Sequence, residues 1–200
     1  MMQQVTAERP GAGSRRITVV LVGHSYIRRV RDFMYDNPRL ANLGFSDVDV
    51  YCVAQGGETL GPGRRPIQAS LSVVAAYQPC IVFLHIGEND LRHMLPTNIS
   101  WELMQFVNEL ILHCSTVIVG QLLCFPNNRS RDDHAVSLIN SYVRRHVPRP
   151  HVFWRHQCGL SQAGLYFDGV HLNNYGMYQY WRSFRTIVGR ELRRYRSVRH

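Results

Sequence analysis

Two hundred residues suit one domain with a sizeable core, and a hydrophobic fraction of 45% is that of an ordinary globular chain, which excludes a disordered or collagen-like one. No apolar run approaches the roughly 20 residues needed to span a bilayer. The segment from Met1 to Arg16 lacks the apolar core of a secretory signal, so an intracellular protein, cytoplasmic or nuclear, is expected.

The net charge is +9, and all 23 basic residues are arginine. They are spread along the chain, which reads as a solvated surface, with nucleic acid the weaker reading as a partner. The one dense cluster, Arg190, Arg193, Arg194, Arg196 and Arg199, closes a helical pattern, where positive charge complements the dipole. Cys52, Cys80, Cys114, Cys124 and Cys158 are scattered and form no C-x-x-C pair. They are expected to be reduced, mostly buried thiols, with no zinc site and no disulfide framework.

Residues 1–15 read as a disordered leader, 16–195 as one domain and 196–200 as a basic tail. Ile17 to Val22 is apolar or β-branched and predicts a buried strand. Gly23 breaks it, and after His24 and Ser25 the residues Tyr26, Ile27, Val30, Phe33 and Met34 share one helical face. Asp36, Asn37 and Pro38 end that helix, and a loop runs through Gly44. Val48 to Val53 predicts a second strand, followed at once by Ala54-Gln55-Gly56-Gly57-Glu58-Thr59. Pro66 is placed to start a helix through Ile67, Leu71, Val74 and Ala75 that stops at Pro79.

Ile81 to Ile86 predicts a third strand, apolar enough to be buried on both faces, running into Gly87-Glu88-Asn89-Asp90. Helical spacing covers Ser100 to Cys114, and Thr116 to Leu123 predicts the fourth strand. Ser130 with Asp133 resembles a capping box opening a helix through Val136, Ile139, Tyr142 and Val143, stopped by Pro148 and Pro150. Val152 to Trp154 predicts a short fifth strand. An irregular stretch carries Asp168-Gly169-Val170-His171, and the last helix is predicted from about Tyr175 to Tyr195. Strands alternating with helices imply a parallel sheet covered on both faces.

Three polar segments begin just after predicted strands: Ser25 after the first, Gly57 after the second, Asn89 after the third. In a parallel sheet those points share one edge, where ligands bind. Taken singly, Ser25 reads as a helix N-cap, Gly56-Gly57 as a turn and Asn89-Asp90 as an Asx-turn. Their joint placement with Asp168 and His171 points to chemistry. Serine is a poor nucleophile until a base removes its proton, and histidine suits that task near neutral pH. An aspartate three residues before the histidine can reach its other ring nitrogen and fix the tautomer. Ser25 N–H, Gly57 N–H and the Asn89 amide could supply donors to an oxyanion.

Here the sequence resembles the SGNH hydrolases, or GDSL-type esterases, named for Ser, Gly, Asn and His in separate blocks. The first block reads Gly23-His24-Ser25. The second is matched best by Gly57 in Gly57-Glu58-Thr59, with Gly56 the fallback. G-x-N-D is intact from Gly87 to Asp90, and D-x-x-H from Asp168 to His171, followed by Leu172 and Asn173. The resemblance spans about residues 17 to 185. It implies a three-layer α/β/α sandwich with a flavodoxin-like five-stranded parallel sheet. It also implies hydrolysis of small acyl esters through an acyl-serine, without metal or cofactor. By that resemblance Ser25 is the nucleophile, His171 the base and then acid, and Asp168 its orienting partner. Ser25, Gly57 and Asn89 form the oxyanion hole. His24 stands where the family usually has aspartate, which puts the nucleophile loop's geometry in question.

The arginine excess and His24 motivate the alternative, a catalytically weak binding module of the same fold in a nucleic-acid-associated or transposon-derived protein. His85, His151 and His156 show no metal-binding spacing, and His85, inside an apolar strand, reads as structural. Arg92 and His93 read as a solvated loop, and Arg28, Arg29 and Arg31 mostly as an exposed helix face. Short connections after the first and third strands predict an open, shallow site that takes a small acyl group.

Overall fold

The apolar, β-branched run after Arg16 forms strand β1, Ile17–Gly23, at the centre of a five-stranded parallel sheet. The computed structural model describes residues 16–63, 65–124, 126, 130–156 and 159–198. The leader expected over residues 1–15, Cys158 and the end of the basic tail lie outside them. The sheet continues with β2 (Val48–Ala54), β3 (Ile81–His85), β4 (Thr116–Gly120) and β5 (Val152–Trp154), in the order β2-β1-β3-β4-β5. This is the flavodoxin-like order, whose topological switch point lies between β1 and β3.

Among the described residues five α-helices cover the sheet: α1 (Ser25–Asp36), α2 (Leu71–Ala76), α3 (Pro96–Ile111), α4 (Ser130–His146) and α5 (Asn174–Ser197). Alternation along β1 sorts the two cores. Val19 and Leu21 pack with Ile27, Val30 and Met34 of α1 and with Tyr180, Phe184 and Ile187 of α5. Val20 and Val22 face the other way, onto Val74 of α2, Leu103, Phe106 and Val107 of α3 and Ile139 of α4. The result is a three-layer α/β/α sandwich. Among the described residues no helix is long and apolar enough to cross a membrane.

Several boundaries differ from the sequence-based expectation. The helix expected at Pro66 opens as a 3-10 turn, Ile67–Ser70, and only then becomes α2. Residues 38–44, expected as loop, form kinked 3-10 turns. Helix α3 begins at Pro96 rather than Ser100, with proline in the first turn where its missing N–H costs nothing. Strand β4 stops at Gly120 rather than Leu123. Beyond it the Asn140 side chain takes both the N–H and the carbonyl of Leu122, at 2.8 and 2.9 Å. The side chains of Ser130 and Arg131, and with them the capping box, lie outside the described residues. Cys52, Cys80, Cys114 and Cys124 are free thiols, half-buried rather than fully buried.

The register aligns the strand ends that matter. Gly23 pairs with both Ala54 and His85, so β1, β2 and β3 finish at one level. A Cβ at Gly23 would lie 2.0 Å from the His85 carbonyl oxygen, and its φ is +150°, so only glycine lets β1 end this close to β3.

Candidate active site

The turn from β1 into α1 sets the first group. His24, not Ser25, is the N-cap: its Nδ1 accepts from Tyr26 N–H at 3.5 Å. Read in isolation, Ser25 was the expected cap. The structure instead places it as the first helical residue, with its hydroxyl free of capping duty. Ser25 Oγ is half-buried and lies 3.4 Å from Nδ1 of His24. Its backbone N–H belongs to the unpaired first turn of α1, where partial positive charge concentrates.

The second and third groups are stitched together. Gly57 is exposed, has φ +77°, and has no atom within 4 Å of where a Cβ would sit. Its backbone therefore lies bare at the sheet edge in a conformation that favours glycine. The Asn89 side-chain amide donates to the Glu58 carbonyl at 2.8 Å, leaving its second N–H for another acceptor. Beside it, buried Asp90 accepts the N–H groups of Leu60 at 3.0 Å and Gly61 at 3.1 Å. Glu58 is buried too, accepting from Gln55 N–H at 3.0 Å and Ser70 Oγ–H at 2.8 Å. Burial pushes both carboxyl groups up, against the lowering effect of these hydrogen bonds.

Asp168 and His171 form a self-contained turn. Asp168 Oδ1 accepts the N–H groups of Val170 at 2.9 Å and His171 at 2.6 Å, and Oδ2 lies 2.7 Å from His171 Nδ1. The bonds from the His171 side chain and backbone hold the carboxyl well below the usual carboxylate range. An ionised Asp168 only accepts, so Nδ1 carries the hydrogen and Nε2 offers a lone pair.

Two contacts tie this turn to the Ser25 helix. Tyr26 Oη donates to the Val170 carbonyl. The Arg29 guanidinium lies over the Phe167 ring at 5.3 Å, and that ring stacks on His171 with centroids 5.8 Å apart. Among the described residues no hydrogen bond joins Ser25 to His171: the serine faces His24, and His171 faces Asp168. Arg28, Arg92 and His93 are exposed, while Arg31 pairs with Asp32 at 2.8 Å.

Sequence reasoning missed Glu88, the variable position of G-x-N-D. It is buried, with Oε2 2.7 Å from His24 Nε2 and Oε1 2.6 Å from His85 Nε2, and it accepts Leu123 N–H at 3.0 Å. His85 Nδ1 meets Tyr180 Oη. Burial would raise the Glu88 carboxyl, but His85 and His24 outweigh it and hold it well below the usual range. The only available signal was an acid directly after an apolar strand. The ligating atoms of His24, His85 and Glu88 lie within 4.8 Å of one another, the one such group among the described residues. Because His24 Nδ1 and Glu88 Oε1 each take a backbone N–H, the group is accounted for as a hydrogen-bond network.

No protein-family model matches the sequence, and no curated protein matches it. Solved structures do. A carbohydrate esterase family 3 protein from Talaromyces cellulolyticus superposes with TM-score 0.63 at 15% identity, over 88% of this chain and 98% of that one. The acetylxylan esterase Axe2 from Geobacillus stearothermophilus gives 0.60 at 17% identity, over 84% and 92%. A mutant acetyl esterase with an acetate ion gives 0.64 at 15% identity, over 88% and 98%. The five-stranded parallel sheet flanked by helices is the fold that this chain shares with these esterases. The likeness is one of fold.

Proposed function

We propose that this protein is a serine esterase that hydrolyses small acyl esters through an acyl-serine intermediate. The observation that carries the reading is the Asp168–His171 pair, oriented at 2.7 Å and clasped through Val170 to the residue after Ser25. The fold neighbours, described as acetyl and acetylxylan esterases, agree with it.

The Ser25 Oγ lone pair attacks the ester carbonyl carbon as His171 Nε2 takes the hydroxyl proton, and the carbonyl π electrons move to oxygen. Asp168 stabilises the imidazolium without taking its proton. Ser25 N–H, Gly57 N–H and the second Asn89 N–H are the donors to the oxyanion in this reading. Collapse of the intermediate breaks the bond to the alcohol oxygen, which takes the proton from His171. Water, activated by the same imidazole, then releases the acid and restores Ser25. The exposed positions of Gly57 and Asp168 suit an open site and an acetyl-sized group.

The test is hydrolysis of p-nitrophenyl acetate and butyrate by wild type, Ser25→Ala and His171→Ala. Each variant is expected to lose at least about a thousandfold in kcat. Ser25→Ala should also abolish labelling by an organophosphonate. Folded wild type inactive on every acyl length, or labelling that survives Ser25→Ala, would overturn the reading.

A further inference from the structure

The imidazole next to the serine is 1% exposed, and its partners His85 and Glu88 are 0% and 6% exposed, so a chain of polar groups runs from Ser25 into the core. Its protons can be assigned by elimination. Tyr26 N–H can only donate, so the His24 Nδ1 that it approaches carries a lone pair. His24 Nε2 then carries the hydrogen and donates to Glu88 Oε2. Leu123 N–H must also donate, which leaves Glu88 an acceptor at both oxygens. The Ser25 hydroxyl, 3.4 Å from a bare Nδ1, can therefore only be the donor of that contact.

We infer that His24 is a positioning residue for the nucleophile: Glu88 fixes it as the Nε2–H tautomer, and its Nδ1 accepts the Ser25 hydroxyl in the resting protein. The inference rests on the esterase reading and deepens it. Ser25 then has two imidazoles. The buried one holds Ser25 Oγ in place at rest; on attack the hydroxyl hydrogen leaves His24 Nδ1 and turns to the half-buried His171 Nε2, which takes it. The same ring caps α1, so the helix start and the nucleophile are set by one side chain. His85, held between Glu88 and Tyr180, keeps the carboxylate from turning.

The experiment combines imidazole 15N NMR with kinetics. In wild type, His24 is expected as the Nε2–H tautomer. Ser25→Ala should move its Nδ1 resonance and leave His85 in place. Glu88→Gln offers Nε2 an amide donor and should shift the ring proton to Nδ1. Organophosphonate labelling of Ser25 and kcat on p-nitrophenyl acetate should then fall together by about 100-fold, with KM little changed. His24→Asn retains a good N-cap without the ring and is expected to show the same kcat loss on a folded protein.

A His24 signal indifferent to Ser25→Ala, an Nδ1–H tautomer in wild type, or unchanged kinetics in folded Glu88→Gln would overturn the inference. So would His24 and His85 resonances that move on treatment with EDTA, which would mark a bound cation. Wild type that neither hydrolyses esters nor is labelled would defeat the esterase reading, while the tautomer and the Ser25→Ala shift would still decide the hydrogen bond.

Discussion

Asp168 satisfies three N–H groups with two oxygens, and one of them is the His171 ring N–H, which it orients directly. Asp168→Asn should separate orientation from packing. Its amide N–H would face His171 Nδ1, force the hydrogen onto Nε2 and remove the lone pair that, in the proposed mechanism, takes the serine proton. Activity is expected to fall by about a thousandfold or more. The melting temperature should hardly move, because the side chain is exposed. Initial rates and thermal melts check both, and an Asn variant with wild-type rates would remove Asp168 from the mechanism. At this scale the sequence was informative where a residue type is tied to a task. Ser25, Asn89, Asp168 and His171 were visible as polar groups punctuating an apolar pattern. Glu88 and Tyr26 were not, because a glutamate in a short loop and a tyrosine on a helix's apolar face look ordinary until their partners are known.

Among the elements, α1 and the turn before α5 depend on each other. Tyr26 is buried at the first turn of α1, and burial pushes its phenol well above the ordinary range, so it stays a donor to Val170. Tyr26→Phe keeps the ring and loses the clasp. The expected cost is about 1 kcal/mol in urea unfolding, with a larger relative loss in kcat because His171 is no longer tethered to the Ser25 helix. Equal kcat in the two proteins would show that the tether does not position the site. Helical spacing and β-branched runs identified each strand and α-helix of the described residues, since both report burial of one face. Boundaries slipped where side chains took over the backbone's hydrogen bonds, as Asn140 does past β4. They also slipped where a first turn such as Thr97-Asn98 carries no apolar signal.

For the molecule as a whole, Glu88 joins the start of α1, the end of β3 and the segment after β4. Its folded carboxyl titrates well below the ordinary value near 4.5, so between those values the unfolded chain binds more protons and stability rises with pH. That contribution is present above the ordinary value and is lost as pH falls through the depressed one. Glu58 and Asp90, raised by burial, act with the opposite sign: their contribution is present in acid and lost as pH rises through their folded values. Subtracting Glu88→Gln from wild type cancels the Glu58 contribution, and that of Asp90 except for the part that Glu88 itself raises. Urea melts at pH 3, 4 and 5 should show wild type losing up to about 1.4 kcal/mol more per pH unit of acidification than the variant. Parallel curves would mean that Glu88 is not held as a carboxylate.

The sequence by itself determined the alternation of strands and helices, the side of the sheet on which the polar blocks gather, and the pairing of Asp168 with His171 three residues on. Each of these follows from local spacing, which backbone geometry converts into direction. Only the tertiary structure decided that His24 rather than Ser25 caps α1. It alone joined Glu88, His85 and Tyr180 into a chain behind Ser25. Those depend on groups as far apart as His85 and Tyr180, whose approach is set by the packing of α5 on the sheet and leaves no periodic trace along the chain.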